Sequence, residues 1–172
     1  MAAPRPLFPT SLISTEVASS LPDGFTVRPL DKGDYAKGFL DCLRDLTWMG
    51  DLTVDEFNER YDDMDTDGKG PYYYVVIEHQ GRIVGTGAVI VEKKFIQNRS
   101  IVGHVEEICI SKDHQGKGLG LKMLNALDSV ARNVGCNKNI LNCDQEKQAF
   151  YVKCGYTGSG MEMQHSFVDE ED

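Results

Sequence analysis

The stretch that most constrains this chain runs from Val105 to Gly120, V-E-E-I-C-I-S-K-D-H-Q-G-K-G-L-G, and continues into an apolar helical pattern. Val105 to Ile110 is β-branched and apolar, interrupted by two carboxylates, and reads as a short buried strand. Gln115 to Gly120 is a glycine-rich turn. Beyond it Leu121, Met123, Leu124, Leu127, Val130 and Ala131 recur at helical spacing. Strand, glycine loop and helix N-terminus make an anion site. The glycines let the backbone approach, the first-turn N–H groups lack intrahelical partners, and the helix dipole favours negative charge. The dinucleotide fingerprint G-x-G-x-x-G is not met, because Leu121 stands three after Gly118, and the phosphate-loop ending G-K-[ST] is absent. What fits is Q-x-x-G-x-G, formed by Gln115, Gly118 and Gly120. The plainer alternative is an ordinary strand-to-helix turn that needs two glycines.

A chain of 172 residues is expected to form one domain with a proper core. The net charge of −9 argues against nucleic acid as the main partner, since a phosphate backbone would be repelled. Part of that charge is the acidic tail Asp169-Glu170-Glu171-Asp172, read as a solvated end. Around the glycine loop the balance reverses, with Lys112, His114, Lys117 and Lys122 close together in sequence. Five cysteines (Cys42, Cys109, Cys136, Cys143, Cys154) are an odd count without zinc-type C-x-x-C spacing, so no metal is expected. The N-terminus has no continuous apolar h-region, and no run of 18 apolar residues occurs; a reduced, cytoplasmic protein is expected.

Residues 1–22 hold four prolines and several serines and read as an extended arm, with Leu7, Phe8, Leu12 and Ile13 available to dock it. Phe25 to Leu30 is a first strand. Asp31 or Asp34 caps a helix carrying Tyr35, Phe39, Cys42, Leu43 and Leu46 that ends near Gly50. Thr53-Val54-Asp55-Glu56 is a capping box opening a second helix. Tyr72 to Glu78 and Ile83 to Glu92 form a hairpin around His79-Gln80-Gly81-Arg82. A polar connection leads to the central strand, the glycine loop and its helix. Asn139 to Cys143 is the next strand, Gln145 to Cys154 a helix, and Met161 to Phe167 a last strand. The order β-α-α-β-β-β-α-β-α-β predicts an α+β (α/β three-layer) fold, a mixed central sheet flanked by helices, for a single domain over 23–168.

The Q-x-x-G-x-G loop after V-E-E-I-C-I resembles the acetyl-CoA signature of the GNAT acyltransferases, in which this loop holds the pyrophosphate of coenzyme A. From about Leu21 to Met163 the chain is similar to the eukaryotic (fungal-type) glucosamine-6-phosphate N-acetyltransferases. The matching pieces are Leu21-Pro22-Asp23-Gly24-Phe25, Leu46-Thr47 before Gly50, Gly85-Thr86-Gly87 and Glu92-Lys93-Lys94-Phe95-Ile96. They continue with Gly103-His104-Val105-Glu106, the glycine loop, and Phe150-Tyr151-x-Lys153-Cys154-Gly155-Tyr156. The resemblance implies a GNAT fold, a homodimer and direct acetyl transfer from acetyl-CoA to the 2-amino group of an amino sugar, without a covalent enzyme intermediate. The default acceptor is D-glucosamine 6-phosphate; unphosphorylated glucosamine, another amino sugar, or a weakened CoA-binding homologue are the alternatives.

On that resemblance Ile108, Cys109, Ile110, Gln115, Gly116, Lys117, Gly118, Leu119, Gly120 and Leu121 take the donor, with Asn142 and Tyr151. Thr47, Lys94, Phe95, Ile96, Gln97, Glu106, Glu107, Asn137 and Lys138 take the acceptor. Glu106, Glu107, Asn142 and Tyr151 are the catalytic candidates. A sugar ammonium must lose a proton before it attacks a thioester, which carboxylates assist, and Tyr151 matches the family's tyrosine that serves the departing thiolate. Neighbours on a strand point to opposite faces, so at most one of Glu106 and Glu107 aims into a given site unless a bulge turns the other. An irregular strand from Glu107 to Cys109 can also present a backbone N–H to the tetrahedral intermediate. The chain departs from the family at Glu107 (usually Asp), Gln97 (His), Asn137 (Tyr) and Asn142 (Asp). Trp48 stands where a small residue is usual beside Thr47.

Overall fold

The computed structural model describes residues 5–168, so the acidic tail lies outside the described residues. The chain forms two compact units, one ending at Leu141 and one beginning at Asn142. The first unit is built on a five-stranded sheet in the order β1 (Phe25–Pro29), β2 (Tyr72–His79), β3 (Arg82–Lys93), β4 (Ile101–Ile110), β5 (Lys138–Ile140). All neighbours are antiparallel except β4 and β5, which are parallel and joined by the long helix α5 (Leu119–Asn133).

Local sequence explains most boundaries. The β2–β3 turn places Gln80 and Gly81 at φ 49° and 74°, the two positive values a type I′ hairpin needs. Thr53 caps α3 (Val54–Met64) in a reciprocal box: the Glu56 N–H donates to Thr53 Oγ1 (3.3 Å) and the Thr53 N–H donates to Glu56 Oε2 (2.8 Å). Asp31 caps only a single 3₁₀ turn, Lys32–Tyr35; the expected first helix is interrupted at Gly38 and resumes as the short α2 (Phe39–Arg44). The N-terminal arm is not simply extended. It contains a 3₁₀ turn at Thr10–Leu12 and the helix α1 (Thr15–Ser19), while Leu7, Phe8 and Ile13 are buried.

Seven consecutive residues of β3, Ile83 to Val89, are buried, so both faces of the sheet are covered. Paired residues of adjacent strands share a face, which assigns the layers. Tyr74 pairs with Ala88 and Ala88 with Glu106, while Thr86 pairs with Cys109. The Cys109 thiol donates to the Cys42 carbonyl (3.1 Å), so α2 lies on this face. A Cβ on Gly87, pointing the other way, would lie 2.9 Å from the Met123 side chain of α5. Helix α5 therefore covers the opposite face, burying Leu119, Met123, Leu124, Leu127 and Val130. Each such side chain contributes about 1.5–3 kcal/mol on burial.

Three further expectations are corrected by the structure. The central strand starts at Ile101 rather than Val105, and the polar connection before it is one turn, α4 (Ile96–Arg99), wound left-handed with φ of 49°, 55° and 59° at Gln97, Asn98 and Arg99. In the second unit a 3₁₀ turn at Gln145–Lys147 leads into α6 (Gln148–Lys153), in place of one continuous helix. The expected strand at Met161–Phe167 is not formed: those residues lack regular structure, with Met161, Met163 and Phe167 at least 90% exposed. A strand needs a neighbour to satisfy its backbone and cover its apolar side chains, and this segment has no ladder partner among the described residues.

Candidate active site

The site begins with a defect in the central ladder. Thr86 faces Cys109 and Ala88 faces Glu106, so Glu107 and Ile108 together oppose the single residue Gly87. This is a β-bulge, and Glu107 carries it with φ 53°, a left-handed value unusual for a residue with a side chain. The buried Thr86 hydroxyl donates to the Glu107 carbonyl (3.0 Å) and holds the kink. Gly87 lies beneath it, where a Cβ would crowd Ile108 Cδ1 and the Met123 side chain at 2.9 Å, so a larger residue would make these side chains shift.

The extra residue changes where the carboxylates point. Regular pleating would send Glu107 under α5; instead both Glu106 and Glu107 are exposed. The Tyr74 hydroxyl, on the α2 face and two strands away, donates to the Glu107 carboxylate. Only the small Ala88 stands between them on that face, which lets the ring reach across. Glu107 keeps access to solvent, yet partial desolvation raises its pKa above the ordinary carboxylate value. The Tyr74 hydrogen bond opposes that rise, the like charge of Glu106 adds to it, and the more distant Arg60 on α3 opposes it weakly. Desolvation and the Glu107 charge together push the Tyr74 phenol upward, so Tyr74 remains a protonated donor.

Three residues beyond the bulge β4 ends at Ile110 and the glycine loop starts. Gly116 and Gly118 adopt φ 79° and 76°, with open space where a Cβ would sit, so backbone conformation rather than packing calls for glycine. Gly118 is the N-cap of α5; no side chain caps the helix and no acidic residue stands in its first turn, leaving its positive end uncompensated. Gln115 Nε2 donates to the Ile110 carbonyl (3.1 Å), closing the loop back onto the strand. Lys117 lies over the Phe25 ring, 5.6 Å from its centroid. Leu119 anchors the helix in the core and Leu121 remains exposed. Ile108 and Ile110 are half-buried and Cys109 is buried. The Cys109 interaction and burial push the Cys42 thiol far above its ordinary pKa, which does not suit that sulfur to nucleophilic attack.

The remaining candidates scatter. Thr47 is exposed on the α2–α3 connection, in a cleft with Arg44, Trp48, Met49, Gly50 and Asp51. The Lys94 ammonium is held by Glu92, which also hydrogen-bonds His104 Nε2 (2.7 Å). Phe95, Ile96 and Gln97 project from the left-handed turn into solvent. Asn137 accepts the Ile101 N–H (2.8 Å) through its side-chain oxygen and thereby extends the β4–β5 edge; Lys138 is exposed. Asn142 and Tyr151 belong to the second unit. There Asn142 is exposed and Tyr151 is half-buried, packed edge-on against Phe150 (5.1 Å) and Tyr156 (6.0 Å), with desolvation raising its pKa first and Cys143 and Cys154 adding to it.

Sequence reasoning missed Tyr74 and the hydroxyl role of Thr86. Thr86 had a cue in its position between two strand glycines; Tyr74, one of three consecutive tyrosines, had none. Among the described residues no group of three or more His, Cys, Asp or Glu could hold a metal ion, and no helix is long and apolar enough to cross a membrane.

Residues 40–156 match the Acetyltransferase (GNAT) family. The chain belongs to the GNAT family. It is 39% identical over 143 residues to the glucosamine 6-phosphate N-acetyltransferase of Candida albicans, covering 83% of this chain and 96% of that relative. Identity to the Arabidopsis thaliana enzyme of the same name is 35% over 144 residues, 83% of this chain and 97% of the other. The crystal structure of glucosamine-6-phosphate N-acetyltransferase from Arabidopsis thaliana superposes with a TM-score of 0.80 at 36% identity, over 84% of this chain and 99% of that one. An acetyltransferase of Trypanosoma brucei superposes with a TM-score of 0.75 at 28% identity, over 83% and 99%. The mixed five-stranded sheet with flanking helices is thus a GNAT fold.

Proposed function

We propose that this protein is an acetyl-CoA-dependent N-acetyltransferase acting on the 2-amino group of an amino sugar, with D-glucosamine 6-phosphate as acceptor. The observation that carries this reading is the bulge at Glu107. It turns two adjacent carboxylates out of one strand, just before a loop whose glycines lead into an uncapped helix N-terminus. The relatives named above support the acceptor class.

The pyrophosphate of the donor is received by the amides of Gln115 to Leu121, where the N-terminus of α5 offers unpaired N–H groups. The acetyl group then lies along the end of β4 beside Ile108, Cys109 and Ile110. The acceptor ammonium is drawn to Glu106 and Glu107. Glu107, with its raised pKa, accepts a proton and frees the lone pair. The amine nitrogen attacks the thioester carbonyl, and charge develops on oxygen. A bulge leaves one residue out of the ladder, so an amide between Glu107 and Cys109 is available to that oxygen. Collapse breaks the C–S bond and the nitrogen sheds its second proton to solvent, giving the neutral amide and the CoA thiolate. Protonation of that thiolate by Tyr151, assistance from Asn142, and acceptor contacts from Thr47, Lys94 through Gln97, Asn137 and Lys138 rest on the resemblance alone. The homodimer rests on the resemblance together with the uncovered Met161, Met163 and Phe167.

Thiol release from acetyl-CoA, measured across glucosamine 6-phosphate, glucosamine and other primary amines, tests the reading. Turnover should require an amino sugar and fall at least a hundredfold in kcat for Glu107→Gln, within the usual range for loss of a general base (about 10²–10⁴). Absence of turnover with every amino sugar, or an unchanged Glu107→Gln, would overturn it.

A further inference from the structure

Trp48 is the chain's single tryptophan and is 79% exposed. A large indole held in water at that level needs a reason, and its neighbours suggest one. It lines a cleft of about 480 Å³ with Thr47, Met49, Arg44, Gly50 and Asp51. One flat apolar face beside a hydroxyl, a carboxylate and a guanidinium is the combination that suits a pyranose, which has an apolar C–H face and a polar equator.

Position supports the same conclusion. Helix α2 lies on the sheet face that carries Tyr74 and Glu106. Its last turn is pinned to the end of β4: Cys109 bonds the Cys42 carbonyl, and Asp45 Oδ2 accepts the Lys112 N–H (2.8 Å). Trp48 follows Asp45 by three residues, a reach of roughly 10 Å at most. At the far side of the connection, α3 carries Arg60 close enough to influence the Glu107 carboxylate, and the Tyr35 hydroxyl donates to the Leu52 carbonyl (3.0 Å), fixing the loop's exit. The α2–α3 connection is therefore tethered at both ends over the face that bears the two carboxylates.

We infer that Trp48 is a specificity-determining residue whose indole stacks on the sugar ring of the acceptor, with Asp51 and Arg44 as partners for ring hydroxyls. The inference rests on the amino-sugar reading above and deepens it. Because Trp48 is the only tryptophan, its emission reports the contact directly and independently of turnover.

The test titrates glucosamine 6-phosphate, and separately glucosamine, into the native protein saturated with CoA, following emission on selective tryptophan excitation. Steady-state kinetics of Trp48→Ala and Trp48→Phe accompany it. Emission should shift to the blue and saturate with the sugar. Trp48→Ala should raise the acceptor KM about tenfold, the size of one lost stacking contact with its burial, leaving the acetyl-CoA KM unchanged; Trp48→Phe should restore most of it. Turnover without any sugar-dependent emission change overturns the inference while leaving the proposed activity intact. So does an emission change that CoA alone produces in full, since Trp48 would then line the donor's path. A sugar-dependent shift without turnover keeps the contact and removes the activity. Neither shift nor turnover removes both.

Discussion

Replacing Glu107 by glycine and by alanine measures the bulge on which the site depends. Both variants lose the carboxylate and the Tyr74 hydrogen bond, so those losses cancel in the comparison. In a regular strand alanine is the more stable of the two by about 0.5–1 kcal/mol, because glycine loses more chain entropy on folding. At φ 53° the sign reverses. A side chain in left-handed backbone costs about 1–2 kcal/mol, which glycine does not incur. At mid-range the difference leaves Glu107→Gly ahead of Glu107→Ala by about 0.75 kcal/mol, or roughly 1.5–3 °C in Tm for a chain of this size. Urea unfolding at matched m-values, supported by calorimetry, reads it. Acetyl transfer should be lost equally in both variants. Alanine equal to or more stable than glycine would show that Glu107 occupies ordinary strand backbone, and the account of two carboxylates on one face would fall with it.

Four further outcomes follow from the same geometry. Gly118→Asp places a side chain at φ 76° and a negative charge on the uncapped end of α5; calorimetric acetyl-CoA affinity should fall more than for Gly118→Ala, which carries the strain alone, and equal affinities would remove the anion site. Because the Glu107 pKa is raised on folding, its contribution is fully present below the unfolded carboxylate pKa and is lost as pH rises through the folded value. Glu107→Gln should therefore gain stability relative to the native protein across that window and show a constant difference above it, as denaturant titrations at several pH values will read. Arg28 forms a bidentate pair with the fully buried Asp34 and also binds Glu78; Arg28→Ala, which strands that carboxylate, should cost about 3–5 kcal/mol in urea unfolding. Light scattering at micromolar concentration should give a dimer that Met163→Lys with Phe167→Lys weakens, and a monomeric native protein with full activity would refute the homodimer.

Local chemistry was legible without coordinates. The glycine loop, the Thr53 capping box, the hairpin at Gln80-Gly81 and the apolar stripe of α5 all depend on residues within a turn or two of one another, so spacing alone specifies them. Glu106-Glu107 was legible as a pair of carboxylates but not as a pair on one face. That outcome depends on register between β3 and β4, where Gly87 opposes two residues and Thr86 reaches the Glu107 carbonyl. The reach of Tyr74 across Ala88 likewise exists only once three strands are aligned. The left-handed turn at Gln97–Arg99 defeats sequence reading because no glycine marks it; closure between the ends of β3 and β4 imposes it. The C-terminal apolar pattern reads as a strand because alternation is local, whereas becoming one requires an edge to pair with. Periodicity sets what each segment can be; register between distant strands decides where its chemistry points.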